Sequence, residues 1–214
     1  MSDLKAELHA QFSTLASKLD FPVSQLQQAK LVDYVLLLNK WNKTYNLSAI
    51  RQPSEMLVKH IFDSIVITPF LEGNTFADVG TGPGLPGIPL AIMCPEKSFT
   101  LIDSLGKRVR FMKQAIHELK LKNAIPIQTR VEDLNPSEPF DVVLSRAFAS
   151  LNDMLHWCKH LIATDGVFLA LKGQLHENEL NQIPAQFTLV QSTPLLIPSL
   201  TGDRHLVKIK RANA

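Results

Sequence analysis

Cysteine is scarce in this chain: only Cys94 and Cys158 occur among 214 residues, and both stand in apolar surroundings. Two thiols do not make the disulfide framework of a small secreted scaffold; they fit buried positions in a reducing compartment. No apolar run approaches the roughly 20 residues of a membrane span. The opening Met1-Ser2-Asp3-Leu4-Lys5-Ala6-Glu7 is polar and lacks the apolar centre of a signal peptide, so a cytoplasmic protein is expected. Net charge is also scarce. At +2 it does not mark a nucleic-acid binder, so any basic surface must come from local clustering. There is no GK[ST] step, which excludes a phosphate-cradling ATPase loop. No cluster of His, Cys and acidic residues has metal-ligand spacing. The remaining composition, 45% hydrophobic and 20% charged, suits a soluble globular fold with room for one large or two small domains.

Glycine is concentrated instead of spread. Asp78-Val79-Gly80-Thr81-Gly82-Pro83-Gly84-Leu85-Pro86-Gly87 follows the strand-like Thr75-Phe76-Ala77 and enters the helix-like Ile88-Pro89-Leu90-Ala91-Ile92-Met93. Such a segment turns tightly and lets a ligand approach the main chain, which makes Gly80, Gly82, Gly84 and Leu85 candidate binding residues. About twenty residues on, Phe99-Thr100-Leu101-Ile102 ends in Asp103, an acceptor at the offset that suits a nucleoside ribose. Gly82–Gly87 satisfies the dinucleotide pattern GxGxxG formally. Against a pyrophosphate, however, Pro83, Pro86 and Pro89 remove N–H donors where it would sit, and Asp78 brings negative charge. S-adenosylmethionine carries no phosphate, and its cationic ends tolerate a carboxylate. It is the favoured cofactor, with a nicotinamide dinucleotide as the alternative.

The first seventy residues read as helices. Leu4, Leu8, Phe12, Leu15 and Leu19 form one stripe; Ser24 caps a second helix with Leu31, Val32, Val35, Leu36, Leu38 and Trp41. Asn42–Asn46 breaks that pattern, and a third helix starts near Pro53 with Met56, Leu57, His60, Ile61 and Ile65. Strands are predicted at Thr75–Val79, Ser98–Ile102, Ala124–Gln128, Phe140–Leu144 and Val167–Leu171, with helices at Ile88–Met93, Lys107–Leu121 and Leu151–Ile162 between them. Phe187–Ser192 and His205–Lys210 read as an antiparallel pair at the sheet edge. The expectation is an α/β fold: a doubly wound, seven-stranded, Rossmann-like methyltransferase sheet, mostly parallel with an antiparallel C-terminal hairpin, preceded by a small helical segment. The helical segment is assigned to residues 1–72 and the S-adenosylmethionine-dependent domain to 73–214.

With those residues assembled, the chain resembles the glucose-inhibited division protein B family, the bacterial 16S rRNA guanine-N7 methyltransferases. The segments carrying the likeness are Tyr45-Asn46-Leu47, Lys59-His60-Ile61-Phe62-Asp63-Ser64, Asp78–Ile88 and Asp103-Ser104-Leu105-Gly106-Lys107-Arg108. Further segments are Ser145-Arg146-Ala147-Phe148-Ala149, Leu171-Lys172-Gly173 and Arg204-His205-Leu206. The resemblance implies methyl transfer from S-adenosylmethionine to N7 of one guanine in a decoding-region loop of small-subunit rRNA. It also implies that Gly80, Leu85, Val131, Glu132 and Arg146 line the cofactor.

The chemistry asks little of the protein. Guanine N7 has a lone pair and no proton, so no general base is required and alignment suffices. No catalytic residue is therefore named. Cys94 and Cys158 do not resemble the exposed thiolate that pyrimidine carbon-5 methylation needs, and no Asn/Asp-Pro-Pro-aromatic loop for exocyclic amines is present. Arg146, after the fourth strand, can face guanine O6 or a phosphate, or else pair with a loop carboxylate. Lys107, Arg110, Lys113 and Lys120 share a helix face that suits either solvent or RNA phosphates. Lys172 and Arg204 are further substrate-contact candidates. His60 and Asp63, one turn apart, read as a pair fixing the helix, with ligand contact as the minority reading. The alternative enzymes are a ribose 2′-hydroxyl methyltransferase with Lys172 as base, or a small-molecule methyltransferase. The expected partner is 16S rRNA folded within a small-subunit particle, and a monomer is the simplest assembly.

Overall fold

The computed structural model describes residues 2–146, 148 and 150–212; Ala147 and Ala149 of the segment Ser145–Ala149 lie outside the described residues. Helix α1 (Ser2–Ala16) buries Leu8, Phe12 and Leu15. The Phe12 ring stands 4.9 Å from that of Phe62. Helix α2 (Gln25–Tyr45) starts at Ser24, whose hydroxyl accepts from Gln27 N while the Gln27 side chain accepts from Ser24 N, a capping box. The predicted break at Asn42 is not there. The helix runs on, with the buried Asn42 amide donating to Ile50 O and accepting from Ser48 N instead of competing for the helix backbone, and it ends only at Asn46 in the left-handed conformation.

A third helical stretch is composite: α3 (Pro53–Met56), a π turn over Leu57–Phe62, and α4 (Asp63–Ile65). Strand β1 (Thr75–Val79) leads through the glycine segment into α5 (Gly87–Met93); then come β2 (Ser98–Asp103), α6 (Gly106–Glu118), β3 (Ala124–Gln128), β4 (Phe140–Ser145) and α7 (Leu151–Cys158). Helix α6 stops short of the predicted Leu121 as Lys120 turns to a φ of +53°. Strand β5 (Ile162–Lys172) begins earlier than predicted. Its register against β4 shifts between Phe140 and Val142, and Gly166 fits there because a Cβ would lie 2.8 Å from Asp141 O. A short helix α8 (Glu177–Asn181), unforeseen in the sequence, precedes β6 (Phe187–Pro194) and β7 (His205–Arg211).

The seven strands stand in the order β3-β2-β1-β4-β5-β7-β6. The first five are parallel; β7 runs antiparallel between β5 and β6. Strand order reverses between β1 and β4, and ligands of doubly wound sheets bind at the carboxyl ends beside such a reversal. One hydrophobic cluster joins Leu8 and Phe12 of α1 to Tyr34 and Leu38 of α2, Phe76 and Phe99 of the sheet, and Phe111 of α6. The helical segment and the sheet thus share a core. A second cluster, around Val143, Leu155, Phe168 and Val207, fills the other face. Among the described residues no helix is long and apolar enough to cross a membrane.

Candidate functional site

The glycine segment is built around Asp78. Its carboxylate is fully buried at the end of β1; Oδ2 accepts from Thr81 Oγ1 at 2.5 Å and from Gly87 N at 2.7 Å. The other oxygen, Oδ1, has no hydrogen-bond partner among the described residues. Burial outweighs those two hydrogen bonds and the nearby Arg146 charge, raising the Asp78 carboxyl to about 6. Only glycine fits at 87, where a Cβ would come within 2.2 Å of Leu101 Cδ2. Gly80, Gly82 and Gly84 all have positive φ, the conformation glycine adopts at no steric cost. The buried hydroxyl of Tyr34, from α2, donates to Pro83 O at 2.9 Å and fastens the segment to the helical region.

Asp103 stands opposite, at the end of β2, and is buried. Oδ2 accepts from Gly82 N at 2.9 Å and from Arg108 Nη1 at 3.0 Å; Oδ1 accepts from Leu105 N at 2.9 Å. Each carboxylate oxygen offers two acceptor positions, so Oδ1 keeps one open. A cavity of about 280 Å³ opens here, lined by Val79 and Gly80, by Asp103, Ser104 and Arg108, by Val131 and Glu132, and by Phe148.

A second cavity, about 500 Å³, lies between the π turn, the end of β4 and the loop entering β7, and Lys59, His60, Asp63, Arg146, Lys172 and Arg204 line it. The Asp63 carboxylate, 8% exposed, pairs with Arg146 Nη1 at 2.9 Å and with Arg204 Nε at 3.0 Å. His60 Nε2 meets Ser48 Oγ at 2.7 Å and its Nδ1 meets Lys59 O at 3.1 Å. Burial, then the neighbouring Arg146 charge, lower the His60 imidazole to about 4, so it is neutral near pH 7. The two cavities adjoin along the sheet edge: Ser145 Oγ donates to Val79 O at 2.9 Å, which sets Gly80 of the smaller beside Arg146 of the larger.

The residues singled out in the sequence divide accordingly. Gly80, Asp103, Val131 and Glu132 come together around the smaller cavity; Gly82, Gly84 and Leu85 are buried behind it, in the loop framework. Arg146, Lys172 and Arg204 line the larger cavity, so Arg146 faces the second space instead of the first. Lys172 pairs with Glu179 of α8 at 2.7 Å. Lys107 donates to Tyr45 O, and Arg110 is exposed on α6 outside both cavities. Sequence reasoning missed Tyr34, and it missed Arg108 and Phe148 as individual contacts although both stand in the quoted motifs. Among the described residues no group of acidic, His or Cys side chains is placed to hold a metal ion.

Comparison with known proteins gives the family and the fold. The family model for rRNA small subunit methyltransferase G matches residues 27–207. The chain is 59% identical over 204 residues to the ribosomal RNA small subunit methyltransferase G of Aliivibrio fischeri, covering 95% of this chain and 97% of that one. It is 55% identical to the enzyme of the same name from Alteromonas mediterranea, covering 97% and 99%. Among solved structures, a ribosomal protein L11 methylase from Lactobacillus delbrueckii subsp. bulgaricus shares the fold with a TM-score of 0.56 at 18% identity, covering 71% of this chain and 77% of that one. M. jannaschii TYW2 in complex with AdoMet does so with a TM-score of 0.51 at 19% identity, covering 70% and 77%.

Proposed function

The chain belongs to the rRNA small subunit methyltransferase G family, and on that premise we propose that it transfers the methyl group of S-adenosylmethionine to N7 of one guanine in a decoding-region loop of 16S rRNA. The observation that carries the reading is the pair of cavities at the strand-order reversal: a nucleoside-sized one, where Asp103 and Glu132 stand with Arg108 and Arg130, and a larger one lined by Arg146, Lys172 and Arg204.

The smaller cavity fits the cofactor chemically. Asp103 keeps one acceptor position on Oδ1 for a ribose hydroxyl, Glu132 adds a second carboxylate, and the Phe148 ring offers an apolar face. Buried Asp78 holds an unpartnered oxygen behind the glycine segment, which favours a cationic ligand and opposes a pyrophosphate. When bound, S-adenosylmethionine supplies a methyl group on a sulfonium. The protein's own work is then orientation. Gly80 lets the backbone come close at the mouth, while Arg146 and Arg204 offer donors to a guanine edge or a phosphate and leave N7 free. No side chain needs to accept a proton; His60 is kept neutral by burial and the neighbouring Arg146 charge and so adds no charge to the site.

The RNA partner is read as a folded surface of a small-subunit particle in the cytoplasm, met by Arg146, Arg204 and Lys172 at the cavity and by Lys107 and Arg110 on α6. A monomer suffices for this. The test has two parts. Calorimetry should show binding of S-adenosylmethionine and not of NAD; the reverse would favour an oxidoreductase. Purified small subunits treated with enzyme and cofactor, digested and examined by mass spectrometry, should yield 7-methylguanosine. A ribose-methylated product would move the reading to 2′-hydroxyl chemistry.

A further inference from the structure

The larger cavity holds a relationship that goes beyond the list of its cationic side chains. Asp63 receives Arg146 on Oδ2 and Arg204 on Oδ1, at 2.9 and 3.0 Å, from positions 83 and 141 residues further along the chain. The three residues are the first of α4, directly after the π turn, one after β4 and one just ahead of β7. We infer that Asp63 is the positioning residue of the substrate site, holding Arg146 and Arg204 as a two-guanidinium clamp for the target nucleotide. The inference rests on the guanine-N7 reading for the identity of that nucleotide, and on geometry alone for the clamp.

Several features favour this over a simple brace. Two guanidiniums sharing one carboxylate leave a net single positive charge on the cavity wall, so the group stays attractive to an anionic phosphate. Each arginine spends only part of its donor set on Asp63. Arg146 also reaches Lys59 O at 3.5 Å through the same Nη1, and Arg204 gives Nη1 to Asp203 O at 2.8 Å. Nε and Nη2 of Arg146 and Nη2 of Arg204 carry no hydrogen bond to a described residue, and both side chains line the cavity. Holding long, rotamer-rich side chains in place before RNA arrives removes an ordering cost from binding. Without the carboxylate the two like charges repel and each is free to turn to solvent. His60, beside them, adds no competing charge. The stretch that carries His60 into the wall is the π turn, a rare distortion that occurs frequently at functional sites.

The decisive variant is Asp63→Asn, which keeps the shape and removes the charge. On small subunits its kcat should fall by about 100-fold, the size of effect that misplacement of a reacting group produces. Its affinity for S-adenosylmethionine and its unfolding temperature should stay near wild type, and Asp63→Glu should recover part of the loss. In the wild-type protein, the Arg204 Nε–H resonance should be slow to exchange by NMR, and Asp63→Asn should abolish that protection. Unchanged turnover in Asp63→Asn would overturn the inference. So would a joint fall of turnover, cofactor affinity and folding stability, which marks a brace only, or an unprotected Arg204 Nε–H in wild type. If wild-type enzyme methylates another atom of rRNA, the N7 reading fails while the clamp is still judged, because each variant is compared on whatever product wild type makes.

Discussion

The hydroxyl of Tyr34 donates to the carbonyl oxygen of Pro83 at 2.9 Å, joining the middle of α2 to the crest of the glycine segment. Tyr34 is fully buried, and burial pushes its phenol far above the ordinary range, so it remains a donor at every working pH. Tyr34→Phe leaves the Pro83 carbonyl without this partner in a dry environment. Unfolding by denaturant should show a loss of about 1–3 kcal/mol, the cost of an orphaned buried acceptor. Calorimetry should show weaker cofactor binding with an unchanged number of sites.

Glycines 82 and 87 should respond differently to alanine. At Gly87 the new Cβ would lie 2.2 Å from Leu101 Cδ2 and 2.7 Å from Asp78 Oδ2, so β2 or the loop must shift. Thermal and denaturant unfolding should report about 1–3 kcal/mol of destabilisation from overpacking. At Gly82 nothing lies within 4 Å, and only the φ of +63° is unfavourable. Gly82→Ala should cost about 1–2 kcal/mol of backbone strain. A bulkier Gly82→Val acts on the cofactor only if the open space there is where the cofactor lies.

Asp78 and His60 pull stability in opposite directions as pH changes. Burial raises Asp78 from 3.8 to about 6, so its contribution is fully present below pH 3.8 and is lost as pH rises through 6. Asp78→Asn should remove that loss, worth about 3 kcal/mol at most by pH 7. His60, lowered from 6.5 to about 4, contributes stability above pH 6.5 that is lost as pH falls through 4. Denaturant unfolding between pH 4 and 7 should therefore slope more steeply towards acid stability in His60→Gln than in wild type. In Asp78→Asn only the His60 contribution is left, and stability should rise with pH across the same range. Parallel profiles for all three proteins would refute the assignment of the titration to these groups.

Lys172, which lines the larger cavity, meets Glu179 at 2.7 Å, and the same Glu179 oxygen accepts from Leu151 N at 2.8 Å. Glu179→Gln keeps the acceptor for α7 and removes the charge facing Lys172. Filter binding to small subunits should then show higher affinity at low salt, with a steeper decline as salt rises, since each neutralised phosphate releases counterions. An unchanged salt slope would mean that Lys172 does not meet RNA.

Much of this was legible because it is local. The glycines between β1 and α5, and Asp103 at the end of β2, announce themselves by spacing, and alternating apolar runs mark the strands. What was missed depends on side-chain partners that hydrophobic periodicity does not mark, whether a few residues away or 141. Apolar spacing does not show that the Asn42 amide bonds Ser48 and Ile50, six and eight residues on, so the helix reads as broken where it continues. Nothing near Asp63 signals that Arg204 will reach it from 141 residues away, so a short-range His–Asp pair seemed the default. The exposed look of Lys172 in sequence hid its carboxylate partner on α8, a helix too short to leave a periodic pattern.

Strand β7 lies between β5 and β6, and the loop before it brings Leu195, Leu200, Thr201 and Arg204 into the larger cavity. The smaller cavity is complete by Phe148. Synthesis proceeds from the N-terminus, so every residue lining the smaller cavity has been made while Leu171 to His205 of the larger one are still to come. The larger cavity closes only when residues from both ends of the chain, Ile50 to Asp63 and Leu195 to His205, have met across the sheet.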